Sequence, residues 1–209
     1  ADNDTDEYDR HVIAHEWAHY FSSAISMDDS MGGSHGAGDL LDIRIAFSEG
    51  WANAFSALAL DDQIYQDTSG EQQAGGFGFD VEYGTRFGYE EGKGWYSESA
   101  VYLLANDLSD SNNDSGDADS NTISVSDLMQ VVTEHMASDS APGTIFSYVN
   151  AMIKHVPDQT ETIRSLTDHF QIGVDTTTFS SFGEGELSDA SEFRDAANVL
   201  PVFYHIVVD

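Results

Sequence analysis

Near the start of the chain, in the run Asp9-Arg10-His11-Val12-Ile13-Ala14-His15-Glu16-Trp17-Ala18-His19-Tyr20-Phe21, a glutamate directly follows the first of two histidines one helical turn apart. The run contains neither Gly nor Pro and reads as helix. At about 100° per residue, His15 and His19 then stand about 40° from eclipsed, so both imidazoles reach one cation. Glu16 lies about 100° round from His15 and borders such a site instead of ligating it. The spacing suits two neutral imidazoles holding zinc beside a carboxylate that takes a proton from water. The chain has no cysteine, so a third ligand must be another His or a carboxylate.

The remaining periodicity predicts a mainly helical α+β chain with little strand. The first helix spans 4–25, with Asp4 and Glu7 at capping-box spacing. Its apolar stripe of Ile13, Trp17, Tyr20 and Ala24 lies nearly opposite the row His11, His15, His19, which predicts burial on both sides. A glycine-rich loop over 27–38 precedes a second helix at 39–61, whose core face is Phe47, Trp51, Phe55 and Leu58. Glu49 and Asn53 point away from that face, and Ala52 and Ser56 are small enough to let this helix approach the first. Residues 62–76 read as turns, and Phe77, Phe79, Val81 and Tyr83 alternate as in a half-buried strand. A third helix is expected at 95–108, then an acidic loop at 110–122. Further helices follow at 126–137, 142–155 and 159–171, with weak helix at 188–197 and a terminal strand at 200–208.

One class of zinc protease places its third ligand, a His, six residues after the second, with a Gly between. Those positions here are Ile25 and Ser22. Asp39 and Asp42 lack any supporting pattern. Glu49 has one, because it begins Glu49-Gly50-Trp51-Ala52-Asn53 within the second helix. The histidine motif followed by this pentapeptide resembles the gluzincin metallopeptidases, and most the fungalysins of the thermolysin-like group. The resemblance covers roughly residues 8–60 and extends more weakly to the third helix. It implies a zincin-type catalytic domain in which His15, His19 and Glu49 ligate Zn2+, Glu16 is the general base and the substrate is a peptide. Asn53 stands where such enzymes carry an aspartate that orients a zinc-bound histidine. Its oxygen can accept from an imidazole Nδ1, but it brings no charge. The position of the oxyanion-stabilising histidine aligns with Gly94, which leaves that role vacant. Tyr96, in Gly94-Trp95-Tyr96-Ser97-Glu98-Ser99, is the substitute, because a phenol can donate to an oxyanion. A packed aromatic at a helix start is the competing reading. Tyr83, His135, His155 and His169 are weaker candidates. His11 continues the histidine row without a glutamate at the required offset, and His35 reads as a loop histidine at the edge of the cleft.

Charge decides the setting and the partners. Against 38 Asp and Glu the chain has 7 Lys and Arg, a formal net charge of −31. Self-repulsion of that size favours high ionic strength, where the Debye length falls to about 3 Å at 1 M. The expectation is a salt-adapted extracellular or cell-surface protein, and a start at Ala1 adds the expectation of a mature piece of something longer. No basic surface can be assembled against phosphates, so nucleic acid is excluded as a partner. The length, 40% hydrophobic residues and 11% aromatics suit one domain over 1–209 with a real core. The 107–121 loop has the carboxylates and amides that Ca2+ prefers, against a favoured reading as a solvated acidic loop. The alternative to a hydrolase is a non-catalytic, metal-stabilised surface or adhesion module. In thermolysin-like enzymes the sheet edge that pairs with substrate precedes the motif helix. Here either a further N-terminal region or the 77–89 stretch must provide it.

Overall fold

The computed structural model describes residues 6–36, 38–83, 92–110, 122–172 and 180–183. The described residues are mainly helical, with one two-stranded sheet. Six α-helices follow in order: α1 Arg10–Ile25, α2 Ile43–Leu60, α3 Glu98–Asp107, α4 Val125–Gln130, α5 Ile145–His155 and α6 Thr160–His169. Strands β1 Ile64–Ser69 and β2 Gly75–Asp80 form an antiparallel hairpin between α2 and α3, with Tyr65 opposite Phe79. No described helix is long and apolar enough to cross a membrane.

Helix α2 is the spine. Its first turn is held by Asp42, whose carboxylate accepts from the Arg44 backbone N–H at 3.0 Å and pairs with the Arg44 guanidinium. Its last turn ends on Asp61 in the left-handed region, φ 52°. Between these ends Phe47, Trp51, Ala54 and Ala57 enter a core shared with α3, α5 and α6. Burying a side chain the size of Phe146 in that core contributes about 1.5–3 kcal/mol. Gly50 is required for the packing. A Cβ there would stand 2.5 Å from both the Glu98 carbonyl oxygen and Val101 Cβ, so only glycine lets α3 lie this close to α2.

The opposite side of α2 meets α1 through small residues. Ala52 and Ser56 are fully buried, and His11 Nδ1 lies 3.3 Å from Ser56 Oγ. The hairpin is tied to the start of α1 by Asp9, whose carboxylate accepts from the Thr68 N–H at 2.6 Å and from its hydroxyl. That places Tyr65, Phe77 and Phe79 in a stack beside α1, with Phe79 reaching Tyr102 of α3 at 5.4 Å between ring centres.

Several expectations are corrected. α1 begins at Arg10 after a short 3-10 turn, Asp6–Tyr8. Its N-cap is Asp9, which spends its carboxylate on Thr68 instead of capping. Asp4 lies outside the described residues. The Ile13, Trp17, Tyr20 stripe is not buried: these side chains are 51%, 51% and 69% exposed. Helical period identifies two faces but not which one is covered, and the small side chains of α2 claim the histidine face. Trp17 is half covered, by Phe21 at 5.5 Å and by Phe55, on which it stacks at 5.9 Å. The 62–76 stretch is not all turn, since 64–69 is β1, and the 77–83 strand is β2 ending at Asp80. The third helix starts at Glu98. The 126–137 helix is α4 running into a π-helical turn, Val131–His135, and a 3-10 turn, Met136–Ser138. The elements expected at 188–197 and 200–208 lie outside the described residues, as does most of the 107–121 loop.

Candidate metal centre

His15 and His19 leave α1 toward α2 one turn apart, and Glu49 leaves α2 toward them. Their ligating atoms converge. His15 Nε2 and His19 Nε2 are each 3.3 Å from Glu49 Oε2 and 3.1 Å from one another. Tetrahedral zinc with bonds of about 2.0–2.1 Å separates its ligands by about 3.3–3.4 Å, so the three atoms are spaced as one face of such a tetrahedron. The cluster is partly shielded, with the His15 and Glu49 side chains 12% exposed and His19 24%. It could hold a divalent metal ion.

The outer nitrogens are also engaged. His15 Nδ1 lies 2.9 Å from Asn53 Oδ1, and His19 Nδ1 lies 3.1 Å from Ser48 Oγ. Asn53 Oδ1 can only accept, and Ser48 Oγ can accept as well; in the tautomer with the proton on Nδ1 of both rings, each Nε2 lone pair turns inward, as ligation requires. Asn53 passes the contact on, donating from Nδ2 to Glu98 Oε1 at 2.6 Å.

The centre opens into a cavity of about 510 Å³. Glu16 is exposed and lines it beside the histidines. His35 lines it too, with Nε2 at 3.5 Å from Glu49 Oε2 and 3.6 Å from Glu98 Oε2. Tyr65, Phe77, Phe79 and Tyr102 form the aromatic wall. The Tyr65 ring stands edge-on to His15 at 6.1 Å. Tyr96 is not part of the lining. Gly94, at φ 94°, turns the chain so that the Tyr96 ring folds back over Gly94 and against Trp95. Of the other candidates, Tyr83 is exposed beyond β2, while His135 and His155 pair at 3.1 Å on α5 and the π-helical turn, with Asp127 on His155. His169 ends α6 against Phe170. His11 is buried, which lowers its pKa against the pull of Asp62, and it ties α1 to α2. Asp39 lines the cavity and Asp42 caps α2.

Two lining residues, Glu98 and Tyr65, stand outside the sequence expectations. Glu98 reads as an acid in the first turn of a helix, where the macrodipole favours one anyway. Tyr65 fell in a stretch read as turns, although Tyr65 and Phe79 are a cross-strand aromatic pair that the alternation of β2 could have suggested.

The metal-free electrostatics favour a proton where the metal would sit. Burial raises the Glu49 carboxyl, but hydrogen bonds from His15 and His19 override it and hold it well below the usual carboxylate range. For His19, burial lowers the pKa, and the Glu49 contact with the charges of Glu16 and Asp28 raises it to a net increase. Burial pushes the Glu98 carboxyl up, with Glu49 adding to the rise and His35, His15 and Asn53 opposing it. A raised His19 stabilises the metal-free fold fully below its unfolded pKa of 6.5, and that contribution is lost as pH rises through the folded value. The depressed Glu49 contributes above its ordinary 4.5 and loses this only in strong acid. A divalent cation held by His19 would have to displace that proton. Affinity measured by chelator competition is therefore expected to rise with pH from 6, by up to about tenfold per unit per proton released, until His19 is neutral. An affinity flat from pH 6 to 8 would contradict this linkage.

Comparison of the chain with protein-family models, with curated proteins and with solved structures finds no match.

Proposed function

We propose that the chain is a zinc-dependent peptide hydrolase of the gluzincin type. The observation that carries this reading is the convergence of His15 Nε2, His19 Nε2 and Glu49 Oε2 at tetrahedral spacing on a cavity that Glu16 also lines. Zinc, when bound by these three residues, supplies a Lewis acid that polarises a carbonyl and acidifies water. Glu16 takes the proton from the attacking water and delivers it to the leaving amine. Tyr65, beside His15 in the cavity wall, replaces Tyr96 as the phenol that donates to the developing oxyanion. β1 turns its outer edge to the start of α1, where the Thr68 N–H donates to Asp9, and β2 forms the other side of the hairpin. In this reading an extended peptide lies along β2, whose Phe77 and Phe79 line the cavity.

The test is hydrolysis of casein or a fluorogenic peptide in molar salt, by wild type and Glu16→Gln. Glu16-dependent turnover supports the reading. Zinc bound without such turnover leaves a metal-stabilised interaction module, which the exposed Ile13, Trp17 and Tyr20 on α1 would suit.

We also propose that the protein works outside the cell in high salt, on the strength of its charge. Its melting temperature is expected to climb between low and molar NaCl as like charges are screened. A thermal melt insensitive to salt would remove this part of the proposal.

A further inference from the structure

An amide side chain has a donor and an acceptor of nearly equal size, so Asn53 by itself could turn either end toward His15. With its oxygen there, it accepts from Nδ1–H and leaves the Nε2 lone pair for a cation. With its nitrogen there, it needs a lone pair on Nδ1 and drives the proton onto Nε2, where it blocks ligation. A carboxylate offers only lone pairs. Glu98 Oε1 lies 2.6 Å from Asn53 Nδ2, and Asn53 Oδ1 lies 2.9 Å from His15 Nδ1. The donor end of the amide is therefore committed to Glu98, and the acceptor end faces the imidazole.

We infer that Glu98 is a positioning residue that sets the flip of Asn53 and, through it, the tautomer in which His15 presents Nε2 to the metal. The inference rests on the metal reading of His15, His19 and Glu49.

The fold holds this relay from three elements. His15 comes from α1, Asn53 from α2 and Glu98 from the first residue of α3. Gly50 brings α3 within reach, because its missing side chain admits the Glu98 backbone against α2. Asn53 is 3% exposed and the Glu98 side chain 20%, so water competes little for either hydrogen bond. The contact of Glu98 with His35, at 3.6 Å, uses its other oxygen.

The experiment is zinc affinity by competition with a chromophoric chelator in molar NaCl, for wild type, His15→Ala, Glu98→Gln and the double variant Glu98→Gln/Asn53→Asp. Glutamine is isosteric with glutamate but can present either end to Asn53, so Glu98→Gln is expected to weaken zinc binding about 10- to 100-fold. In the double variant, the aspartate introduced on α2 accepts from the amide introduced on α3 on one side and from His15 Nδ1–H on the other. The donor order is rebuilt, and affinity is expected to return to the wild-type range. Metal-free melting curves check that both variants fold. Glu98→Gln binding zinc as tightly as wild type, or a loss that Asn53→Asp does not recover, would overturn the relay while leaving the metal site. Wild type binding no more tightly than His15→Ala would remove the metal reading and the relay with it.

Discussion

Glu16→Gln in the zinc-loaded protein is expected to lower peptide hydrolysis by about 10²- to 10⁴-fold while leaving the zinc content unchanged. The two halves of that result come from geometry. Glu16 follows His15 in sequence but is turned about 100° away from it along α1, and it lines the cavity without joining the His15, His19 and Glu49 cluster. Glutamine keeps its size and polarity and cannot take a proton. Metal analysis alongside initial rates in molar NaCl separates the two halves. Loss of zinc together with activity would place Glu16 in the metal's coordination instead, and retention of activity would place the base elsewhere.

Glu49→Ala is expected to abolish most of the stabilisation that zinc confers. Ligand binding to the folded state alone adds about 2.7 kcal/mol at a free concentration 100 times Kd. For a chain of this size that corresponds to about 5–10 °C in melting temperature. With Glu49 removed, the two imidazoles, 3.1 Å apart, lose the carboxylate that clusters with them among the described residues. The affinity loss should exceed the about 10- to 100-fold typical of outer hydrogen-bond partners. Thermal melts with and without zinc read this directly. A Glu49→Ala variant that keeps the full zinc-dependent shift would show that another residue supplies the third ligand.

The parts of the site that lie on a helical period were legible in the sequence. His15 and His19 face one way because they are a turn apart, and Glu49 and Asn53 share a face of α2 for the same reason. The structure brings the four side chains within hydrogen-bonding or ion-pair distance. What was not legible depends on contacts between elements. Tyr65 enters the cavity only because β1 pairs with β2 and Asp9 fastens the hairpin to α1. Glu98 reaches Asn53 only because Gly50 admits α3. His35 is carried to Glu49 by a loop with no periodicity to read. The same limit explains the stripe on α1. Ile13, Trp17 and Tyr20 are apolar enough to predict burial, but burial depends on what lies opposite, and among the described residues α2 takes the other face.

Diffraction from zinc-soaked crystals on either side of the zinc absorption edge tests the metal assignment directly. A peak in the anomalous difference map about 2.0–2.2 Å from His15 Nε2, His19 Nε2 and a Glu49 carboxylate oxygen is the expected result. A map with no peak there, or with its peak confined to the three carboxylates that Asp6, Asp9 and Asp67 bring together where the hairpin meets the start of α1, would contradict it.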